Sequence, residues 1–212
     1  QIDSSNVKAI EAGARYYNGK PLINSVNGKA SVLKEILPIV KKYGACVIGL
    51  TLDDEGIPAT AEGRYKIAEK IVNTAAEYGI SKENIIIDCL ALTASAQQSE
   101  VFETLKTIEK VKKELGVCTA LGVSNVSFGL PSREIVNQTF LTMALYAGLD
   151  APIINPAHEP MKAAIASYEV LSNKDVGAER FIKRYNAQQT QNERVKAEPI
   201  NQSSLSRSES VN

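Results

Sequence analysis

One histidine, His158, and three widely spaced cysteines, Cys46, Cys89 and Cys118, are all this 212-residue sequence offers toward a metal centre. Zinc sites draw on closer Cys and His pairs, so no metal site is expected. The cysteine count is odd and each lies in or beside an apolar strand-like run, which predicts buried free thiols. A lone histidine leaves no Ser/His or Cys/His pair for nucleophilic catalysis. No lysine sits inside an apolar strand to form a Schiff base. Net charge is zero, from 24 basic and 24 acidic residues, so nothing points to nucleic acid or an anionic membrane surface. No apolar run is long enough to span a bilayer, and no secretory signal pattern is present. A cytoplasmic location is therefore expected. The phosphate-loop patterns GxGxxG and GxxxxGK[ST] are missing as well.

What remains is ordinary in composition, 44% hydrophobic and 23% charged, and long enough for one domain with a sizeable core. Short apolar runs alternate with longer amphipathic stretches. The runs are Pro21–Val26, Ala45–Leu52, Asn84–Leu92, Cys118–Ser124 and Ala151–Pro156, preceded by the stub Gln1–Asp3. Their continuous apolar and β-branched character suits parallel strands buried on both faces. Helical patterns cover roughly Asn6–Tyr17, Ala30–Tyr43, Ala61–Tyr78, Gln97–Leu115, Ser132–Ala147 and Pro160–Leu171. Several stop at a glycine (Gly19, Gly44, Gly79, Gly116, Gly148), and Pro38 interrupts the second.

Six βα units in a row imply a parallel sheet, and both a doubly wound sheet and a (βα)8 barrel fit. Polar residues favour the barrel, because they gather at nearly every strand end: Asp3, Asn24, Thr51–Asp54, Asp88, Asn125 and Asn155. A barrel brings all such ends to one mouth, whereas an open sheet makes only its switch point special. Six units cannot close an eight-stranded barrel. The fold class is thus α/β, a TIM (βα)8 barrel that is N-terminally incomplete, with two units expected upstream of Gln1. The barrel is expected over 1–176. Residues 177–212 read as one further helix and then a polar, serine-rich linker or tail, Thr190–Asn212.

Two carboxylates, Asp3 and Asp88, and two amides, Asn24 and Asn125, come from four different strand ends. Carboxylates accept hydrogen bonds, and amides donate and accept. Such a set suits a flat, neutral heterocycle rich in N–H donors. It does not suit a phosphate, which would draw Arg, Lys or a helix N-terminus. Plainer roles compete at each position. Asp3, Ser4 or Ser5 fits a helix cap. Asn24 and Asn27–Gly28 fit turn residues. Asn125 between two serines fits a turn or cap, Asp53–Gly56 a solvated loop, and His158 a loop next to a helix start.

The segments IDSSN, GKPLINSVNG, GACVIGLTLDDEGIP, IIIDCLAL and LGVSNVSFGLPSR resemble the pterin-binding domain of the methyltetrahydrofolate:corrinoid methyltransferases. FGLPSR with AGLDAPIINP most resembles the folate module of cobalamin-dependent methionine synthase. The likeness runs from Gln1 to about Val176. It implies a TIM barrel with the pterin in its mouth, held by Asp3, Asn24 and Asp88. Asn125 would lie close to the methyl-bearing nitrogen, with Gly122 and Ser124 keeping the mouth open beside it.

The activity implied is transfer of the methyl group of 5-methyltetrahydrofolate to Co(I) of a corrinoid carried by another domain or protein. Asn125 and Asp88 would be the catalytic residues. No zinc cysteines for homocysteine and no corrinoid-binding DxHxxG pattern occur, as expected if those belong to other modules. The alternatives are a free-standing methyltransferase serving a separate corrinoid protein, and an inactive folate-binding fragment. Dihydropteroate synthase shares the barrel, but its lysine and arginine set for pyrophosphate is not seen around APIINPAHEP.

Overall fold

In a computed structural model of the chain, residues 1–186 are described. Strands β1 (Ile2–Asp3), β2 (Leu22–Asn27), β3 (Cys46–Leu50), β4 (Ile85–Asp88), β5 (Cys118–Gly122) and β6 (Ala151–Ile153) alternate with helices. The helices are α1 (Val7–Tyr16), α2 (Ala30–Tyr43), α3 (Ala61–Glu77), the short α4 (Ala94–Gln97), α5 (Val101–Lys110), α6 (Arg133–Tyr146) and α7 (Glu159–Leu171). Beyond Lys110, α5 continues as a π-helical turn, Val111–Leu115. Two compact units result, Gln1–Tyr168 and a second that begins at Glu169. In the second, Asp175 accepts from the backbone N–H of Arg180 (3.1 Å) and Phe181 (2.9 Å), where the helical residues 179–186 begin. The expected tail, Thr190–Asn212, lies outside the described residues.

Strand order separates the two topologies that alternation alone leaves open. The sheet runs β1-β2-β3-β4-β5-β6 and every neighbouring pair is parallel. Each crossover therefore steps in the same direction. Because such crossovers are right-handed, all the helices fall on one face of the sheet. A doubly wound sheet reverses direction at a switch point and has helices on both faces. The six strands are consecutive staves of a TIM-type barrel, as expected.

Side-chain alternation matches. Ile23, Val26, Val47, Ile85, Ile87 and Leu121 join the large cluster packed under the helices. Gly49 belongs to the same layer: a Cβ there would meet Ile71 Cγ2 at 2.9 Å, so α3 lies hard against β3. Ile48 and Ala120 are buried too, but outside that cluster, on the inner face. Cys118 alternates with Thr119 onto this inner face and is exposed, so the expectation of three buried thiols fails there, while Cys89 is buried and Cys46 half-buried.

Local signals behave as their chemistry dictates. Asn6 caps α1, accepting from Lys8 N–H (3.0 Å) and Ala9 N–H (3.2 Å). The cap is thus neither Asp3, Ser4 nor Ser5, although Ser4 Oγ accepts from Asn6 N–H (3.1 Å). Left-handed Gly44 ends α2, and Gly116 ends the π-helical turn. Gly19 does not cap α1, which stops at extended Tyr17. Pro38 falls inside α2, which continues to Tyr43. The run Asn84–Leu92 is strand only to Asp88; Cys89 keeps one bond to β5, from its N–H to Ala120 O (3.3 Å), and the chain then leaves the sheet.

Candidate functional site

Asp88 ends β4, and its position follows from β-alternation. Ile85 and Ile87 face the helices, so Ile86 and Asp88 face the barrel interior. The sheet registers Asp88 with Leu50 on β3 and Ala120 on β5, both apolar. Only 7% of Asp88 is exposed. Burial pushes its carboxyl from the ordinary 3.8 up to about 6, opposed by one hydrogen bond from Leu90 N–H to Oδ1 at 2.9 Å. Its own carbonyl is held by Thr51, through N–H (3.2 Å) and Oγ1 (3.1 Å). The neighbouring Cys89 thiol is fully buried and pushed well above its usual range by burial and by Asp88, which removes it as a nucleophile.

Asp3 and Asn24 meet across the first strand pair. They are register partners, and Asn24 Nδ2 donates to Asp3 Oδ2 at 3.3 Å. Ile2 packs on Gly13 of α1, so Asp3 faces the interior. With Asn6 serving as the cap, the Asp3 carboxylate is left to the inner face. The β2–β3 register shifts between Asn24 and Val26, where the Asn24–Ser25 peptide is cis.

Gly122 and Asn125 form a second pair at the end of β5. The chain leaves this strand through a 3-10 turn, Val123–Ser127. That turn folds Asn125 back, and its Nδ2 lies 3.0 Å from where a Gly122 Cβ would stand. The glycine therefore makes room for the amide. Ser124 contributes its carbonyl, which accepts from Arg133 Nη2 (2.8 Å) and from Ser127 Oγ (3.2 Å). Through that carbonyl Ser124 also anchors the start of α6.

Beside this turn is a cleft of about 280 Å³ lined by Ser124, Arg133, Glu134, Asn137, Asn155, His158 and Met161. His158 pairs through Nε2 with Glu134 Oε1 at 3.0 Å, and its carbonyl accepts from the first turn of α7. Asn155 and Asn27 are turn residues, each accepting from the backbone N–H two residues on. Asp53 likewise closes the loop to Gly56.

The predicted residues thus divide. Asp3–Asn24 and Gly122–Asn125 are brought into contact as pairs, and Asp88 stands between them on the same sheet face. Asn27, Asp53, Asn155 and His158 take the plainer roles. Sequence reasoning missed Arg64, which is fully buried behind Asp88. Its signal was there: Arg64 interrupts the stripe Ala61, Ile67, Ala68, Ile71, Val72, Ala75 on the buried face of α3. Among the described residues, no three Asp, Glu, His or Cys side chains gather as a metal site, and no helix is long and apolar enough to cross a membrane.

Two acidic acceptors and two amides, without a basic group among them, suit a ligand edge rich in N–H donors. The chain is also similar to known proteins. Residues 1–155 match the pterin binding enzyme family. The methionine synthase of Mycobacterium leprae is 36% identical over 73% of this chain, and that of Mycobacterium tuberculosis 35% identical over the same share. The matched region is only 14% of each of those proteins. The methylcorrinoid:tetrahydrofolate methyltransferase of Eubacterium limosum is 26% identical over 87% of this chain and 68% of its own length. Among solved structures, the dihydropteroate synthase of Yersinia pestis superposes with a TM-score of 0.56 over 79% of this chain and 78% of its own, at 14% identity. That of Coxiella burnetii, solved with pteroic acid, gives 0.51 over 77% and 72%, at 16% identity. Identities this low speak to the barrel alone. With the family match covering residues 1–155, most of the chain, this chain belongs to the pterin-binding enzymes.

Proposed function

We propose that this chain binds 5-methyltetrahydrofolate by its pterin ring and passes the methyl group to Co(I) of a corrinoid carried by another domain or protein. In this reading it is the folate module of a methionine synthase. The observation that carries it is Asp88, a buried carboxylate on the inner face, standing between the Asp3–Asn24 pair and the Asn125 amide. The methionine synthase relatives support the choice of donor and acceptor.

The residues divide the work. Asp3 and Asp88 accept from the amino and ring N–H groups of the pterin, each such bond contributing about 1.5–3 kcal/mol. Asn24 holds Asp3 in place and offers its carbonyl oxygen. As the C–N bond breaks, the amine nitrogen must gain a proton, or it is a poor leaving group. Asn125 has no titratable proton, so its side-chain oxygen accepts from the protonated amine and steadies it. The proton comes from water, directly or relayed by Asp88, which is ionised at pH 7 but, titrating at about 6, can take up a proton and pass it on. General acid assistance of this kind is typically worth about 10²–10⁴-fold.

A second reading is a free-standing methyltransferase that serves a separate corrinoid protein. The Eubacterium limosum relative supports it, because there the match spans most of that protein. Calorimetric titration with methyltetrahydrofolate tests the shared core of both. Binding that Asp88→Ala abolishes is the expected result, and wild-type protein that binds no folate overturns it. Asn125→Ala separates the roles further: the proposed one requires a slower single turnover in the bound complex, and a loss of affinity alone rules it out. Only the module reading expects activity to depend on being linked to a corrinoid domain.

A further inference from the structure

The turn that follows Asp88 is held from behind by one buried guanidinium. Arg64 of α3 is fully buried, and its Nη1 lies against two successive carbonyls of that turn. Nη1 donates to Leu90 O (3.1 Å) and, at the limit of hydrogen bonding, to Cys89 O (3.5 Å). Nη1 also reaches Thr104 Oγ1 (2.8 Å), which itself donates to Leu90 O (3.1 Å). Nε donates to Pro58 O (2.7 Å) and Nη2 to Glu100 Oε2 (2.9 Å). A planar group held at all three nitrogens has little freedom to shift.

Leu90 needs holding. Its φ is +55°, the left-handed region that a branched residue rarely enters. Such a conformation persists only where the surroundings over-determine it. In that conformation the Leu90 N–H points back to Asp88 Oδ1 at 2.9 Å. Among the described residues, no charged side chain makes a hydrogen bond to the Asp88 carboxylate. Leu50 and Ala120 flank it in the sheet, the Cys89 thiol follows it, and Arg64, with Glu100 and Glu103 beyond, stands behind the turn. Among the described residues, the Leu90 amide is the one hydrogen-bond donor to the Asp88 carboxylate.

We infer that Arg64 is the positioning residue of the site: by clamping the Cys89 and Leu90 carbonyls it keeps the Leu90 amide on Asp88, which holds this carboxylate ionised and aimed at the ligand. Arg64 touches neither the carboxylate nor the mouth of the barrel. It acts through the backbone, and the inference rests on the reading of Asp88 as a ligand acceptor.

The test follows the Asp88 carboxyl carbon by NMR in the free protein, alongside calorimetric binding of methyltetrahydrofolate. Arg64→Lys keeps the charge against Glu100 but loses the fork. Its Asp88 midpoint should rise by about half a pH unit to one unit as the amide hydrogen bond weakens, and affinity at pH 7 should fall about tenfold. Leu90→Gly in the Arg64→Lys background supplies the decisive arm, because glycine adopts this φ without restraint. It should return the midpoint toward wild type even though the clamp is gone. An unchanged Asp88 midpoint in a folded Arg64→Lys protein overturns the inference, as does a raised midpoint that Leu90→Gly does not restore. Because the titration needs no ligand, it stands even if methyltetrahydrofolate fails to bind, which would sink the functional reading alone.

Discussion

A side-chain methyl on Gly122 would stand 3.0 Å from Nδ2 of Asn125, closer than real Cβ contacts normally come. The smallest possible residue at the end of β5 therefore sets where the Asn125 amide lies. Gly122→Ala should displace that amide by a few tenths of an ångström while leaving the barrel folded. In the proposed reaction the rate of methyl transfer then falls about ten- to a hundredfold, because small misplacements of a catalytic group are costly. Single-turnover kinetics with an unchanged melting temperature is the expected combination.

Asp88 gives the site a pH signature. Only when ionised does it offer both oxygens as charged acceptors, and its carboxyl titrates at about 6. Methyltetrahydrofolate binding should therefore weaken as pH falls through about 6, and calorimetry across that range measures it. Stability moves the other way. A carboxyl raised in the folded state binds its proton more tightly there than in the unfolded chain. Its contribution is thus full below about pH 4 and is lost as pH rises through about 6. The rise from 3.8 to about 6 corresponds to about 3 kcal/mol. Asp88→Asn should accordingly stabilise the fold at pH 7.5 by about 1–3 kcal/mol, with the gain vanishing below about pH 4, and should abolish binding at every pH. Denaturant titrations at the two pH values check the sign.

The Asp3–Asn24 contact is exposed at one end, and its 3.3 Å length marks a modest bond. Asn24→Ala should change stability by no more than about 1 kcal/mol. Freed of its partner, Asp3 loses its fixed aim, and folate affinity should fall about tenfold. Calorimetric Kd values beside thermal melts separate the two effects.

Gly49 tests packing away from the site. A Cβ there meets Ile71 at 2.9 Å and Ile87 at 3.2 Å, both inside the core. Gly49→Ala should overpack the β3–α3 interface and destabilise the protein by about 1–3 kcal/mol. The denaturation midpoint should drop, with little change in folate affinity for whatever fraction remains folded.

Much of this architecture is legible along the chain. Every expected apolar run overlaps a strand, with β2 running one residue past Val26 to Asn27, and α2 spans the residues its period predicts. The acidic and amide residues stand out because polar groups rarely end buried strands without a use. Asp88 is the clearest example: it closes the run IIID and faces inward. Less legible were the end of that run and the cap of α1. CLAL is apolar enough to read as strand, yet Leu90 is turned out of the sheet into a left-handed conformation. Asp3, Ser4 and Ser5 are all good cap residues, but the backbone presents Asn6 to the first helical amides. Arg64 was unread for a similar reason. A single arginine in an apolar helical stripe gives no hint of which carbonyls it will meet, because Leu90 and Thr104 are far away in sequence.

The sequence by itself determined the alternation of elements, the apolar faces that must be buried and the polar residues at the strand ends. Those follow from local periodicity and propensity, which act over a few residues. Only the tertiary structure decided the strand order, and with it a barrel stave instead of a two-faced sheet. It also decided which polar residues meet, Asp3 with Asn24 and Asn125 over Gly122, and that Asp88 is stripped of water enough to titrate near 6. Pairing register and desolvation depend on what distant segments bring, and no local pattern encodes them.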